Sequence, residues 1–176
     1  TANDIFISKL DAAGNFVWAK QMAGDNPSLG SSITLDASGN IYTTGGFRGI
    51  ADFDPGAGTF NLSCASFSDH NIFISKLDVA GNFVWAKHIG GIMPSAMTLD
   101  PSGNVYTTGN FGYLPTDFDP GPSTYTLINA GVFNNAHVYV FKLDVAGNFA
   151  WAQQFAGNTF DDYAYGIAAT SGGNVY

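Results

Sequence analysis

The residues best suited to chemistry in this chain are aspartates in a motif that occurs twice. The motif, Asp-Phe-Asp-Pro-Gly, places two carboxylates two residues apart, and side chains at that spacing on an extended segment point the same way. Ca²⁺ takes roughly six to eight oxygen ligands, which carboxylates and the carbonyls of a Pro-Gly turn supply. The candidate calcium ligands are Asp52, Asp54, Asp117 and Asp119.

The same motif has a purely structural interpretation, which the sequence leaves open. Asp54-Pro-Gly and Asp119-Pro-Gly are typical of turns, in which Asp52 and Asp117 would accept hydrogen bonds from backbone N–H groups. Only two carboxylates are present in each copy, and their spacing differs from that of an EF-hand loop.

Other patterns typical of catalysis or cofactor binding are missing from the sequence. There is no Gly-x-Ser-x-Gly elbow, and no histidine pairs with a second one at metal-ligand spacing. We therefore predict no catalytic residue, no cofactor-binding residue and no enzymatic activity.

The elements that must position the aspartates belong to a tandem repeat of about 67 residues. Ile5-Phe-Ile-Ser-Lys-Leu-Asp11 returns from Ile72, and Asn15-Phe-Val-Trp-Ala-Lys20 returns from Asn82. A second type of block, Thr-Leu-Asp-x-Ser-Gly-Asn followed by Ile or Val and Tyr-Thr-Thr-Gly, alternates with these. Five joints between blocks read Asp-x-x-Gly-Asn, which is typical of a tight hairpin turn.

Each repeat therefore predicts four short strands in an antiparallel meander. Blocks such as Phe16-Val-Trp-Ala19 are apolar on both faces, as expected for sheets packed between two neighbours. We predict an all-β fold, a β-propeller made of four-stranded antiparallel blades, with about three blades' worth of strands. A linear β-solenoid is the alternative.

We predict one partial propeller over residues 1–176. Its units are approximately 1–23 (the second half of a blade), 24–90, 91–156 and 157–176 (the first half of a blade). The tryptophans Trp18, Trp85 and Trp151 share one phase of the repeat and are predicted to lie in the core between blades.

Composition agrees with an all-β chain and excludes some partners. All 14 acidic residues are Asp, and the formal net charge is −8, with only six Lys and Arg residues. Nucleic-acid binding requires clustered positive charge, so we expect no nucleic-acid partner. No apolar run reaches the roughly 18 residues that span a bilayer.

The ordered motifs resemble the SBBP-type β-propeller repeats. The resemblance rests on the block around Tyr42-Thr-Thr-Gly45, on Asp52-Phe-Asp-Pro-Gly56 and on Ile72-Phe-Ile-Ser-Lys-Leu-Asp78 with Asn82-Phe-Val-Trp-Ala86. It implies a secreted or cell-surface bacterial protein without known catalytic activity. We therefore expect a non-enzymatic structural or interaction module with a protein or cell-surface partner; the alternative is a glycan- or ligand-binding propeller, with calcium as a possible cofactor.

The phase of the repeat gives a last expectation. The chain opens in the second half of a blade and stops within the first half of another, so three blades' worth of strands do not close a ring. Either the remainder of a longer chain or a second copy would complete it, and the sequence favours the former.

Overall fold

The computed structural model describes residues 3–64, 71–90, 92–112, 114–129, 135–155, 157 and 161–176. Its regular elements over these residues are all β-strands. The strands are β1 (Ile5–Leu10), β2 (Phe16–Gly24), β3 (Leu29–Leu35), β4 (Ile41–Phe47), β5 (Ile50–Asp52), β6 (Asn61–Ser63), β7 (Asn71–Leu77), β8 (Phe83–Gly90), β9 (Ile92–Leu99), β10 (Val105–Phe111), β11 (Thr116–Asp117), β12 (Thr126–Leu127), β13 (His137–Leu143) and β14 (Phe149–Phe155).

Two four-stranded antiparallel sheets have the meander order predicted for propeller blades. One runs β3-β4-β7-β8 and the other β9-β10-β13-β14. Their central strands pair in the same register, so that Tyr42 lies opposite Lys76 and Tyr106 opposite Lys142. The structure confirms the all-β fold class and its four-stranded blades.

The segment between the second and third strands of one blade reaches the preceding blade, whereas the corresponding hairpin β11-β12 forms a separate two-stranded sheet. The hairpin β5-β6 leaves its own sheet and pairs with β2, where Ala51 lies opposite Gly24 and Asp52 opposite Ala23. The first sheet therefore has the order β1-β2-β5-β6. The repeat pattern did not predict this crossing, because a two- or three-residue pairing leaves no periodic signal.

The Asp-x-x-Gly-Asn joints form the predicted turns. In the turn after β7, Asp78 Oδ1 accepts hydrogen bonds from the backbone N–H groups of Ala80 and Asn82, and Oδ2 accepts one from the Asn82 side chain. Gly81 has a φ of 80°, the left-handed conformation that favours glycine. The joint at Thr170 keeps this shape with a hydroxyl that accepts from the N–H of Asn174 at 3.1 Å.

The core consists of two clusters, one on each face of the sheet β3-β4-β7-β8. Phe73 packs with residues of the first sheet such as Ile7, and its neighbour Ile74 packs with residues of the third sheet such as Phe141. Successive side chains of a strand point to opposite faces, so a sheet between two others must be apolar at consecutive positions. This burial on both faces explains why strict apolar-polar alternation is missing.

Candidate functional site

The first Asp-Phe-Asp-Pro-Gly loop is held together by its own carboxylates. Asp52 Oδ1 accepts hydrogen bonds from the backbone N–H groups of Asp54 (3.0 Å) and Phe60 (2.8 Å). Asp54 Oδ1 accepts one from the N–H of Gly56 at 2.8 Å. The two carboxylates thus stabilise the hairpin that joins β5 to β6.

The second loop repeats this geometry. Asp117 Oδ1 accepts from the N–H groups of Asp119 (3.0 Å) and Tyr125 (2.8 Å), and Asp119 Oδ1 accepts from Gly121 at 2.7 Å. The recurring hydrogen bonds agree with the structural interpretation of the motif.

The phenylalanine between the aspartates anchors each loop to a blade. Phe53 is fully buried, with its ring centroid 5.4 Å from that of Phe47 and 4.9 Å from that of Phe73. Phe118 is equally buried and packs on Phe111 at 5.7 Å. The alternation Asp-Phe-Asp follows from this, because the ring points inward while both carboxylates point toward the loop backbone.

These loops offer only a few oxygen atoms that could bind a cation. Within the described residues, the Oδ2 atoms of the four aspartates accept no hydrogen bond. The part of the chain that the structure describes contains no cluster of three or more His, Cys, Asp or Glu side chains suited to a metal. Each loop therefore offers two carboxylate groups, and a bound cation would need carbonyl or water oxygens as well.

A cluster of charged and aromatic side chains, which the sequence did not predict, links the turns to the central strands. Lys76 Nζ lies 3.8 Å from Asp36 Oδ2 and 4.7 Å from the ring centroid of Tyr42. The same contacts recur where Lys142 lies 3.8 Å from Asp100 and 4.9 Å from the Tyr106 ring. The recurrence of Asp, Tyr and Lys at the same positions of both repeats could have indicated this cluster in the sequence. Their contact, however, depends on the register of the paired strands.

At the Asp100 carboxylate of this cluster, burial and hydrogen bonds act in opposite directions on the pKa. Burial acts to raise the pKa of Asp100, but hydrogen bonds from Asn104, Tyr106 and Ser102 outweigh it and hold the pKa below its ordinary value. The Tyr106 hydroxyl donates to Asp100 Oδ2 at 3.0 Å. The aspartate thus accepts a hydrogen bond from the tyrosine and forms an ion pair with the lysine, and we expect these contacts to stabilise the blade.

Trp18 and Trp85 pack against the turn of the following blade, as predicted. A Cβ added to Gly81 would lie 3.3 Å from the Trp18 ring, and one added to Gly147 would lie 3.3 Å from the Trp85 ring. The turn of one blade therefore lies directly on the tryptophan of the blade before it. A larger residue than glycine at these turns would displace the indole.

The insertion segments carry exposed apolar side chains, of which Phe60 and its counterpart Tyr125 recur in both repeats. Ile50 and Phe60 are 48% and 39% exposed in one, and Leu114 and Ile128 are 58% and 55% exposed in the other. Loops on a rigid scaffold are the usual place for binding residues. These insertions therefore present accessible apolar surface that is only partly shared by the two repeats.

Comparison with known proteins agrees with a propeller-like repeat. No protein-family model matches the chain. It is 27% identical over 176 aligned positions to the uncharacterized WD repeat-containing protein L264 of Acanthamoeba polyphaga mimivirus, an alignment that covers 92% of this chain. The chain spans 12% of the length of that relative. Separately, no helix over the described residues is long and apolar enough to cross a bilayer.

Proposed function

We propose that this chain is a non-enzymatic structural and interaction module, an SBBP-type propeller segment of a secreted or cell-surface bacterial protein. The observation that supports this most directly is the use of the recurring residues. Polar side chains of the motifs bind the protein's own backbone or one another, and Trp18 and Trp85 are packed between blades.

Two further findings support an interaction role. The similarity to a WD repeat-containing protein suggests a propeller interaction module. The insertion segments also present Leu114 and Ile128, which are exposed, apolar and not repeated in the first insertion. We assign the contact surface for a protein partner to these segments.

Site-specific photocrosslinking tests the assignment. A photoreactive amino acid is introduced at Leu114 or Ile128 and, as a control, at Ala37, which is exposed on a tight turn. In extract of the source organism, the first two positions should give discrete crosslinked species and Ala37 should not. Equal labelling from all three, or turnover of ester, peptide or glycoside substrates by the chain, would contradict the proposal.

The second candidate function is glycan or ligand binding that depends on calcium. The observation that favours it is that the Oδ2 atoms of Asp52 and Asp54, and of their counterparts, are not used by the described loop. Calorimetric titration with CaCl₂ tests it, with Asp54→Asn and Asp119→Asn together as the matched variant. Heat of binding that is present in the parent chain and lost in the double variant would support the calcium site. No heat of binding in the parent chain would exclude it.

A further inference from the structure

The described structure holds a lysine between an aspartate and a tyrosine in two places. Lys76 Nζ lies 3.8 Å from Asp36 Oδ2 and 4.7 Å from the ring centroid of Tyr42. In the next blade Lys142 repeats these contacts, at 3.8 Å from a carboxylate oxygen and 4.9 Å from a tyrosine ring. A carboxylate beside an aromatic ring therefore attracts an ammonium group in this fold, because the negative charge and the face of the ring act together.

Each insertion hairpin brings the same two kinds of group together. The backbone N–H of Phe60 donates to Asp52 Oδ1 at 2.8 Å, and that of Tyr125 donates to Asp117 Oδ1 at 2.8 Å. These hydrogen bonds fix an aromatic residue beside a carboxylate at the same position of both repeats. We call each such combination a carboxylate–ring pair.

In the part of the chain that the structure describes, no cation occupies the carboxylate–ring pairs. The sequence has no Lys, Arg or His at residues 50–63 or 114–128. The ion pairs among the described residues are those of the two lysine clusters, which lie elsewhere. The Oδ2 atoms of Asp52 and Asp117 accept no hydrogen bond from a described residue. Each pair therefore keeps one carboxylate oxygen for a group from outside the hairpin.

The rings of both pairs are held in place and remain accessible. The Phe60 ring packs on Phe83 with 4.7 Å between centroids, and the Tyr125 ring packs on Phe149 with 4.8 Å. The Tyr125 hydroxyl also donates to the carbonyl oxygen of Ala152 at 3.2 Å. Phe60 is nevertheless 39% exposed and Tyr125 38% exposed. A ring that is already ordered loses little conformational entropy when a cation binds to it.

We propose that each insertion hairpin binds a lysine or arginine side chain of a protein partner. The cation lies between Asp52 Oδ2 and the Phe60 ring in one unit, and between Asp117 Oδ2 and the Tyr125 ring in the next. This inference rests on the proposed interaction role and specifies the partner as a basic segment. The formal net charge of −8 acts in the same direction, because it attracts such a segment before contact. Two pairs on successive units favour a segment with several cations, because the second contact forms within the complex.

Binding of a basic peptide tests the proposal. The probe is a fluorescein-labelled peptide of alternating lysine and serine, titrated with the chain in EDTA so that calcium takes no part. Fluorescence anisotropy should show binding that weakens as NaCl rises from about 0.05 M to about 0.5 M. The same peptide with acetylated lysines keeps the length and lacks the charge, and it should not bind.

Paired substitutions locate the contact. Asp52→Asn with Asp117→Asn keeps an Oδ1 acceptor for the loop backbone and removes the charge, so the dissociation constant should rise roughly 3- to 30-fold. Phe60→Leu with Tyr125→Leu keeps an apolar side chain and removes the ring, so the dissociation constant should rise about 5-fold. The thermal unfolding midpoint of each variant shows whether the hairpins are still folded.

A matched control separates the carboxylate–ring pairs from the net charge. Ser38→Lys with Ser102→Lys adds as much positive charge as the aspartate variant loses negative charge. Both serines are exposed on the turns between the first two strands of a blade, and their N–H groups, which lysine retains, bind the turn aspartates. The control should weaken binding much less than the aspartate variant. An equal effect would show attraction by net charge alone and would overturn the assigned contact.

Two further results would contradict the proposal. The first is an acetylated peptide that binds as tightly as the charged one, and the second is a charged peptide that does not bind at low salt. Discrete photocrosslinked species from Leu114 or Ile128, in a chain that does not bind the charged peptide, would leave the interaction role standing. They would overturn only the basic chemistry of the partner.

Discussion

The hydroxyl oxygens of Thr43 and Ser75 lie 2.7 Å apart in the buried centre of the β4–β7 pair. Ser75 also donates to the sulfur of Met22 on the preceding sheet at 3.8 Å. In the next blade Phe141 holds the position of Ser75, and the buried hydroxyl of the opposing Thr107 has no hydrogen-bond partner among the described residues. We therefore expect these two threonines of one repeated motif to contribute differently to stability.

Substituting these threonines separates the two roles. Thr43→Val should lower the free energy of unfolding by about 1–3 kcal/mol, because it leaves the buried Ser75 hydroxyl with only a weak sulfur contact. Thr107→Val should leave the free energy of unfolding unchanged or raise it, since the lost hydroxyl is buried at a free-energy cost that no hydrogen bond offsets. Urea denaturation followed by tryptophan fluorescence measures both, and equal losses would contradict this account.

The glycine of Tyr-Thr-Thr-Gly is required by close approach of a neighbouring strand. A Cβ at Gly45 would lie 1.9 Å from the carbonyl oxygen of Leu29, and at Gly109 the corresponding distance to Met93 is also 1.9 Å. Gly45→Ala should therefore destabilise the blade by about 3 kcal/mol or prevent folding. Gly46→Ala is the matched control, because its nearest atom is 3.9 Å away, and its unfolding midpoint should change little.

Acid should unfold the chain through its turn aspartates. Hydrogen bonds lower the pKa of Asp100 in the folded state below 3.8, despite burial that acts to raise it. Its stabilising contribution is thus complete above pH 3.8 and is lost as the pH falls through the folded-state pKa. Asp100→Asn should be less stable at neutral pH and show a shallower loss of stability in acid, which unfolding measured over a pH series checks.

His88 should give a separate transition at higher pH. Burial lowers its pKa below 6.5, so the folded state disfavours the charged ring. Stability should fall as the pH drops below 6.5 and through the lower folded-state pKa. His88→Gln should remove this loss of stability and leave the loss at lower pH, caused by the aspartates, intact. The measurement is the thermal unfolding midpoint as a function of pH. A midpoint that depends on pH near 6.5 as strongly in the variant as in the parent chain would contradict the assignment.

Much of the local structure could be predicted because it depends on neighbours in sequence. The turn at Asp78 needs only residues up to Asn82, and its hydrogen bonds join atoms within four positions of one another. The apolar run of β7 likewise indicated a strand buried on both faces. For the same reason, the structural interpretation of Asp52 and Asp117 was available from the motif itself.

Other features depend on which strands lie side by side. The pairing of β5 with β2 and the contact of Lys76 with Asp36 join residues distant in sequence, and no periodic pattern encodes them.

The amino-acid sequence by itself determined the repeat, its turns and its four-stranded sheets, since strand and turn formation depend on side-chain types within a few residues. Only the tertiary structure decided which strands and side chains distant in sequence lie side by side. Burial depends on the atoms that packing brings alongside, and these atoms belong to residues distant in sequence.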